Sequence, residues 1–126
     1  MTNSFSIAAR ARSFVFAFRG LAVVLRTQHN AWLHALATIA TLLLGFVLEV
    51  SRGEWLALTL AIALVWMAEG FNTAVEALCD VVSPDHHPEV ERAKDVAAGA
   101  VLIAALGALA VGLVVFAPKL VGATAG

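Results

Sequence analysis

Glu69, Asn72, Thr73, Glu76 and Asp80 place three carboxylates, an amide and a hydroxyl on one short stretch of chain. On a helix turning 100° per residue, all five fall within an arc of roughly 100°. The residues between them, from Gly70 to Cys79, are apolar or small. Hard divalent cations such as Mg²⁺ take oxygen ligands, commonly one or two carboxylates completed by substrate phosphates. A carboxylate held partly out of water is also suited to act as a general base. Arg92, Lys94 and Asp95 follow a short loop later, and a lysine ammonium suits a phosphate. The pattern reads as a metal-plus-phosphate site. Two other readings stay open on these residues: an internal polar seam, with Lys94 paired to Asp80 or Glu76, and an oligomeric ion or proton pathway, since acidic groups within membranes often mark one.

The composition sets where such a site must work. Of 126 residues, 61% are hydrophobic and 13% are charged, with a mean hydropathy of +0.90. A soluble domain lies nearer roughly 45–50% apolar and about 25% charged. So much apolar surface cannot be hidden inside a small globule, and lipid is the solvent that accepts it. The net charge of −1, without a basic stripe, offers nothing to a nucleic acid. The single cysteine, Cys79, excludes an internal disulfide and reads as a small apolar helix residue. No secretory signal is evident. The Gly-x-x-x-x-Gly-Lys-Ser/Thr loop and the protein-kinase signatures are absent, and His86-His87 alone is a weak metal signal, better read as a solvated loop.

The elements that must position the site follow from charge spacing. Residues 5–28 form a predicted basic amphipathic helix. Phe14, Phe18, Leu21 and Leu25 make an apolar stripe, and Arg12, Arg19 and Arg26 a basic one, a pattern that lies flat in the headgroup region. Residues 27–48 hold 22 positions without a charged side chain, near the ~20 needed to cross a hydrocarbon core. Trp32 and His34 fall near one end of that span, where amphipathic rings favour the interface. Glu49 to Glu54 is a polar turn. Residues 55–68 are apolar but rise only ~21 Å, so the second span must run on through Glu69, Glu76 and Asp80 to the Ser83-Pro84 break. Each acid within a bilayer costs about 2.5–3.5 kcal/mol on insertion scales, so these must face a bundle interior or a wet pocket. Pro88 suits the first turn of the last helix, with Glu89 and Glu91 at its positive end. Residues 96–118 are 23 positions without charge and end at Pro118-Lys119, with a frayed tail over 122–126.

The expectation is an all-α membrane protein of one domain, 1–126. It has an interfacial helix (5–28) and three transmembrane helices (29–48, 55–82 and 89–118). Six basic residues (Arg10, Arg12, Arg19, Arg26, Arg92, Lys94) fall on one side and two (Arg52, Lys119) on the other. The positive-inside rule puts the six, and the N-terminus, in the cytoplasm.

The segment EGFNTAVEALCD (69–80) resembles the signature Glu-x-x-Asn-(Ser/Thr)-Ala-x-Glu-x-x-x-Asp of small prokaryotic diacylglycerol kinases. The segment RAKDVAAGAV (92–101) resembles that family's second signature. The resemblance spans roughly residues 12–118. Within the family, VSPDHHP (82–88), His34 and Pro118-Lys119-Leu120 look more like the undecaprenol kinase branch.

The resemblance implies a homotrimer in a bacterial inner membrane, with active sites between subunits, that moves the γ-phosphoryl group of MgATP to the hydroxyl of a lipid alcohol, diacylglycerol or undecaprenol. By matching position it makes Glu69 the base, with Asn72 beside the catalytic centre, and Glu76 the Mg²⁺ ligand. It brings Glu76, Asp80, Asp85, His86, His87, Lys94 and Asp95 to ATP. Phe16 stands where the family usually has tyrosine, and Arg12 or Arg10 reaches a phosphate. Gln28 stands where the family usually has a metal-holding glutamate, and offers a neutral oxygen in place of an anion.

Overall fold

The computed structural model describes residues 6–124. Phe5, placed by the sequence reading in the first helix, lies outside the described residues, as do Ala125 and Gly126 of the tail expected to fray. Ser6 caps the first helix, α1 (Ile7–Thr27), by accepting from the Ala9 amide at 3.3 Å. Gln28 is extended (φ −105°, ψ 116°) and separates α1 from α2 (His29–Val47) with a single residue. Its amide still bonds the Val24 carbonyl at 3.1 Å, so the chain turns without losing that partner.

The end of α2 closes as a Schellman motif. The amide of Val50 reaches the Gly45 carbonyl at 3.1 Å, and that of Glu49 reaches Phe46 at 3.4 Å. The motif needs a left-handed residue, and Glu49, not a glycine, takes it at φ 49°. Two residues on, Ser51 opens α3 (Arg52–Val82) with a capping box: its hydroxyl accepts from the Glu54 amide and the Glu54 carboxylate accepts from its own amide. The predicted polar turn therefore gives up its last three residues to the helix.

The final helix, α4 (Pro88–Thr124), starts at proline, as the sequence predicts, and carries Glu89 and Glu91 in its first turn. It does not stop at Pro118 as expected. The ring removes the amide hydrogen that would serve Val114, yet one missing bond is tolerated where the helix is held on both sides of it. Val115 and Phe116 are buried just before the proline, and Lys119 pairs with Glu54 at 3.2 Å just after it.

The Lys119–Glu54 pair at one end and a Lys94–Asp80 pair at the other show that α3 and α4 run antiparallel, and this is the main packed pair. The apolar core is small: Val50, Leu58, Val115 and Phe116, with Leu48, Trp55 and Val111 against it. Elsewhere large apolar side chains such as Leu36, Ile39, Phe46, Leu60, Ile103 and Val114 face outward. Three helices, α2, α3 and α4, are long and apolar enough to cross a membrane, and outward-facing hydrocarbon is the surface a bilayer accepts.

Candidate active site

Among the described residues, the largest side chain to be fully buried is a carboxylate, Glu69, at 1% exposure. It lies late on α3, after the apolar run that begins at Trp55, and shares a pocket of about 280 Å³ with Gln28, Asn30, His34, Asn72 and Glu76. Ala98, Val101 and Ala105 of α4 form the apolar wall. The break at Gln28 explains how α1 and α2 contribute. With its backbone extended, Gln28 donates its side-chain amide to Glu76 Oε2 at 2.6 Å. Asn72, one turn before Glu76 on α3, donates to Glu76 Oε1 at 3.3 Å. Glu76 is thus held by two neutral amides.

The three acids of the sequence stripe each have a separate neighbour. Glu69 Oε2 lies 3.4 Å from His34 Nε2, Glu76 takes the two amides, and Asp80 Oδ1 pairs with Lys94 Nζ at 2.6 Å. Among the described residues no three His, Cys, Asp or Glu side chains gather into a metal cage. Mg²⁺ needs only one or two carboxylates where phosphates supply the rest. The donor set fits that mode. Glu76 is half-buried, Gln28 adds an amide oxygen on rotation, and Asn72 Oδ1 is buried with no hydrogen bond among the described residues.

A second pocket, about 260 Å³, lies further along α3 at its C-terminal end and is lined by Asp80, Asp85, His86, His87, Glu91 and Lys94. It is more polar than the first. The Lys94–Asp80 pair has the geometry of the polar seam anticipated from sequence, but the side chains are 38% and 69% exposed. Exposed pairs contribute little to stability, so Lys94 can exchange Asp80 for a phosphate at small cost. His87 caps α4: its Nδ1 accepts from the Glu89 amide at 3.2 Å, and its carbonyl receives Val90 and Glu91. His86 Nε2 lies 3.6 Å from Glu91.

The predicted residues therefore fall into three groups. Glu69, Asn72, Glu76 and Gln28 share the inner pocket. Asp80, Asp85, His86, His87 and Lys94 share the outer one. Arg12, Phe16 and Asp95 line neither, and all three are exposed. Phe16 is covered on one side by the Arg19 guanidinium, 5.7 Å from its ring centre. His34 is the residue whose position in the site sequence reasoning missed. By sequence it reads as an interfacial ring, and a contact across 35 positions leaves no spacing signal. The available sign was a polar ring in an otherwise uncharged span.

Residues 15–116 match the sequence model of a family described as prokaryotic diacylglycerol kinase. The chain is 42% identical over 109 residues to an undecaprenol kinase of Bacillus subtilis, covering 86% of this chain and 89% of that protein. It is 35% identical over 109 residues to a diacylglycerol kinase of Synechocystis sp., covering 86% of this chain and 62% of the relative. A diacylglycerol kinase of Pseudomonas aeruginosa is 33% identical over 91 residues, covering 72% and 68%. The ion-pathway and purely structural alternatives gain no support from these matches.

Proposed function

Since the chain belongs to the prokaryotic diacylglycerol kinase family and is a lipid kinase, we propose that it transfers the γ-phosphoryl group of ATP, with Mg²⁺, to the hydroxyl of a membrane lipid alcohol. The observation that carries the mechanism is the inner pocket. A fully buried carboxylate, Glu69, and a half-buried, amide-held one, Glu76, share a cavity between apolar spans and an aqueous rim. Glu69, the more desolvated, is the base that takes the proton of the lipid hydroxyl. The lipid oxygen then bonds to the γ-phosphorus, the bond from phosphorus to its bridging oxygen breaks, and ADP leaves. Asn72 fixes Glu76 beside this centre.

Glu76, with Gln28, would hold Mg²⁺; when bound, the ion neutralises charge on the transferring phosphates. Lys94 releases Asp80 to meet a phosphate, with Asp95, Asp85, His86 and His87 around the nucleotide. Arg12 and Phe16 complete the ATP site from α1. Their exposure, away from both pockets, supports a site shared between subunits of a homotrimer. Small residues along α4 (Ala104, Gly107, Ala108, Gly112) suit close helix contact between copies. The bacterial inner membrane, with the N-terminus cytoplasmic, brings ATP to the basic side.

Undecaprenol is the lipid proposed first. It is supported by the 42% identity to an undecaprenol kinase and by the loop 82–88. The test is labelled phosphate transfer from MgATP to undecaprenol and to diacylglycerol in parallel micelles. Faster labelling of undecaprenol is expected. Faster labelling of diacylglycerol would overturn the substrate, and labelling of neither would overturn the proposed reaction.

A further inference from the structure

Glu69 is buried at 1% exposure, and neither of its carboxylate oxygens has a hydrogen bond among the described residues. A carboxylate desolvated in this way is costly unless a donor faces it. His34 lies beside it. The imidazole Nε2 stands 3.4 Å from Glu69 Oε2, is itself buried, and likewise has no hydrogen bond among the described residues. Next to the ring, polar groups inside the apolar spans are joined to one another. Thr38 donates its hydroxyl to the His34 carbonyl at 2.7 Å, and Trp66 donates its indole N–H to the Thr38 hydroxyl at 3.0 Å. The indole then meets the imidazole edge-on, with centroids 6.5 Å apart. The two polar groups are buried 3.4 Å apart and are not joined by a hydrogen bond in this state. Catalytic hydrogen bonds are often long without substrate and shorten when it binds.

We propose that His34 is a positioning residue for Glu69. Its Nε2–H holds Oε2 in place and leaves Oε1 to receive the hydroxyl proton of the lipid. The proton ends on Glu69, and the imidazole neither gains nor loses one. His34 also lines a second cavity of about 260 Å³, with Ala37, Thr38, Ile62, Val65 and Ala105, deeper between the spans. The same ring thus marks where the apolar space meets the reacting end. This inference rests on Glu69 being the base.

The experiment compares His34→Asn and His34→Gln in the full-length protein, alone and with Glu69→Gln, using MgATP and undecaprenol in mixed micelles. Both variants keep a polar amide in the span, but only glutamine reaches the place of Nε2. His34→Asn is expected to lower kcat by about 10- to 100-fold, the scale of a misplaced reacting group, with KM for ATP within about twofold. His34→Gln is expected to stay within about threefold of the parent. On the Glu69→Gln background, His34→Asn should cost less than about twofold, because no base remains to be positioned. Unchanged kcat in His34→Asn, an equal loss in His34→Gln, or the same loss on both backgrounds would overturn the role of His34. Normal kcat in Glu69→Gln alone would instead remove the base itself.

Discussion

Where α2 turns into α3, the polar groups are matched and the apolar ones are packed. The Schellman bonds return the last carbonyls of α2, Ser51 and Glu54 cap each other, and Lys119 reaches Glu54. Trp55 packs on Gly45 and tilts against Phe46, with ring centroids 5.0 Å apart. At the other end of the same helices, the matching is left incomplete. His34 Nε2, both Glu69 oxygens and Asn72 Oδ1 are buried without hydrogen bonds among the described residues. Lys94 and Asp80 meet only at the surface. One end uses its polar groups to close helices. The other holds polar groups out of water with capacity to spare, which is what substrate binding requires.

That contrast is broken most severely by removing the buried acid. Glu69→Gln is expected to lower kcat by about 10²- to 10⁴-fold, the range of a general base, with Mg²⁺ and ATP dependence little changed. Glu76→Gln should raise the requirement for both. Steady-state kinetics across Mg²⁺ and ATP concentrations check this. If both variants remain active and lose only thermal stability, the inner pocket is a structural seam.

The opposite end should respond in the opposite currency. A Cβ at Gly45 would lie 2.5 Å from Trp55 Cη2, so Gly45→Ala forces the indole or the helix to shift. Overpacking of this kind costs about 1–3 kcal/mol. Thermal unfolding in detergent should fall accordingly, while kcat of the folded fraction stays within about twofold of the parent. A large loss of kcat without a change in unfolding would mean that the two ends are not separable.

The smallest effect sharpens the comparison within the pocket. Gln28 donates to Glu76 at 2.6 Å. Gln28→Glu would set two carboxylates face to face, an arrangement that a cation relieves and neutral solvent does not. The Mg²⁺ concentration for half-maximal rate should fall several-fold. An unchanged requirement would show that residue 28 does not touch the metal.

Much of the architecture could be read from the chain because it depends on local or bulk properties. Hydrophobic lengths set the three long apolar helices, and Glu69, Glu76 and Asp80 set one polar face on α3. Pro88 marked the start of α4 because an amide-less residue fits a first turn. Pro118 misled for the converse reason: local propensity expects an end there, whereas burial of Val115 and Phe116 and the Lys119–Glu54 pair carry α4 to Thr124. Periodicity puts the acids on a common face but does not name their partners. Partnership depends on which helices lie side by side, and the extended backbone of Gln28 brings one amide to Glu76 while the start of α2 brings His34 to Glu69. Composition and periodicity by themselves determined that this is a helical membrane protein with an acidic face. Tertiary structure alone decided that one acid is wholly buried, one is held by neutral amides and one is left exposed, because desolvation is a property of surroundings and not of residue type.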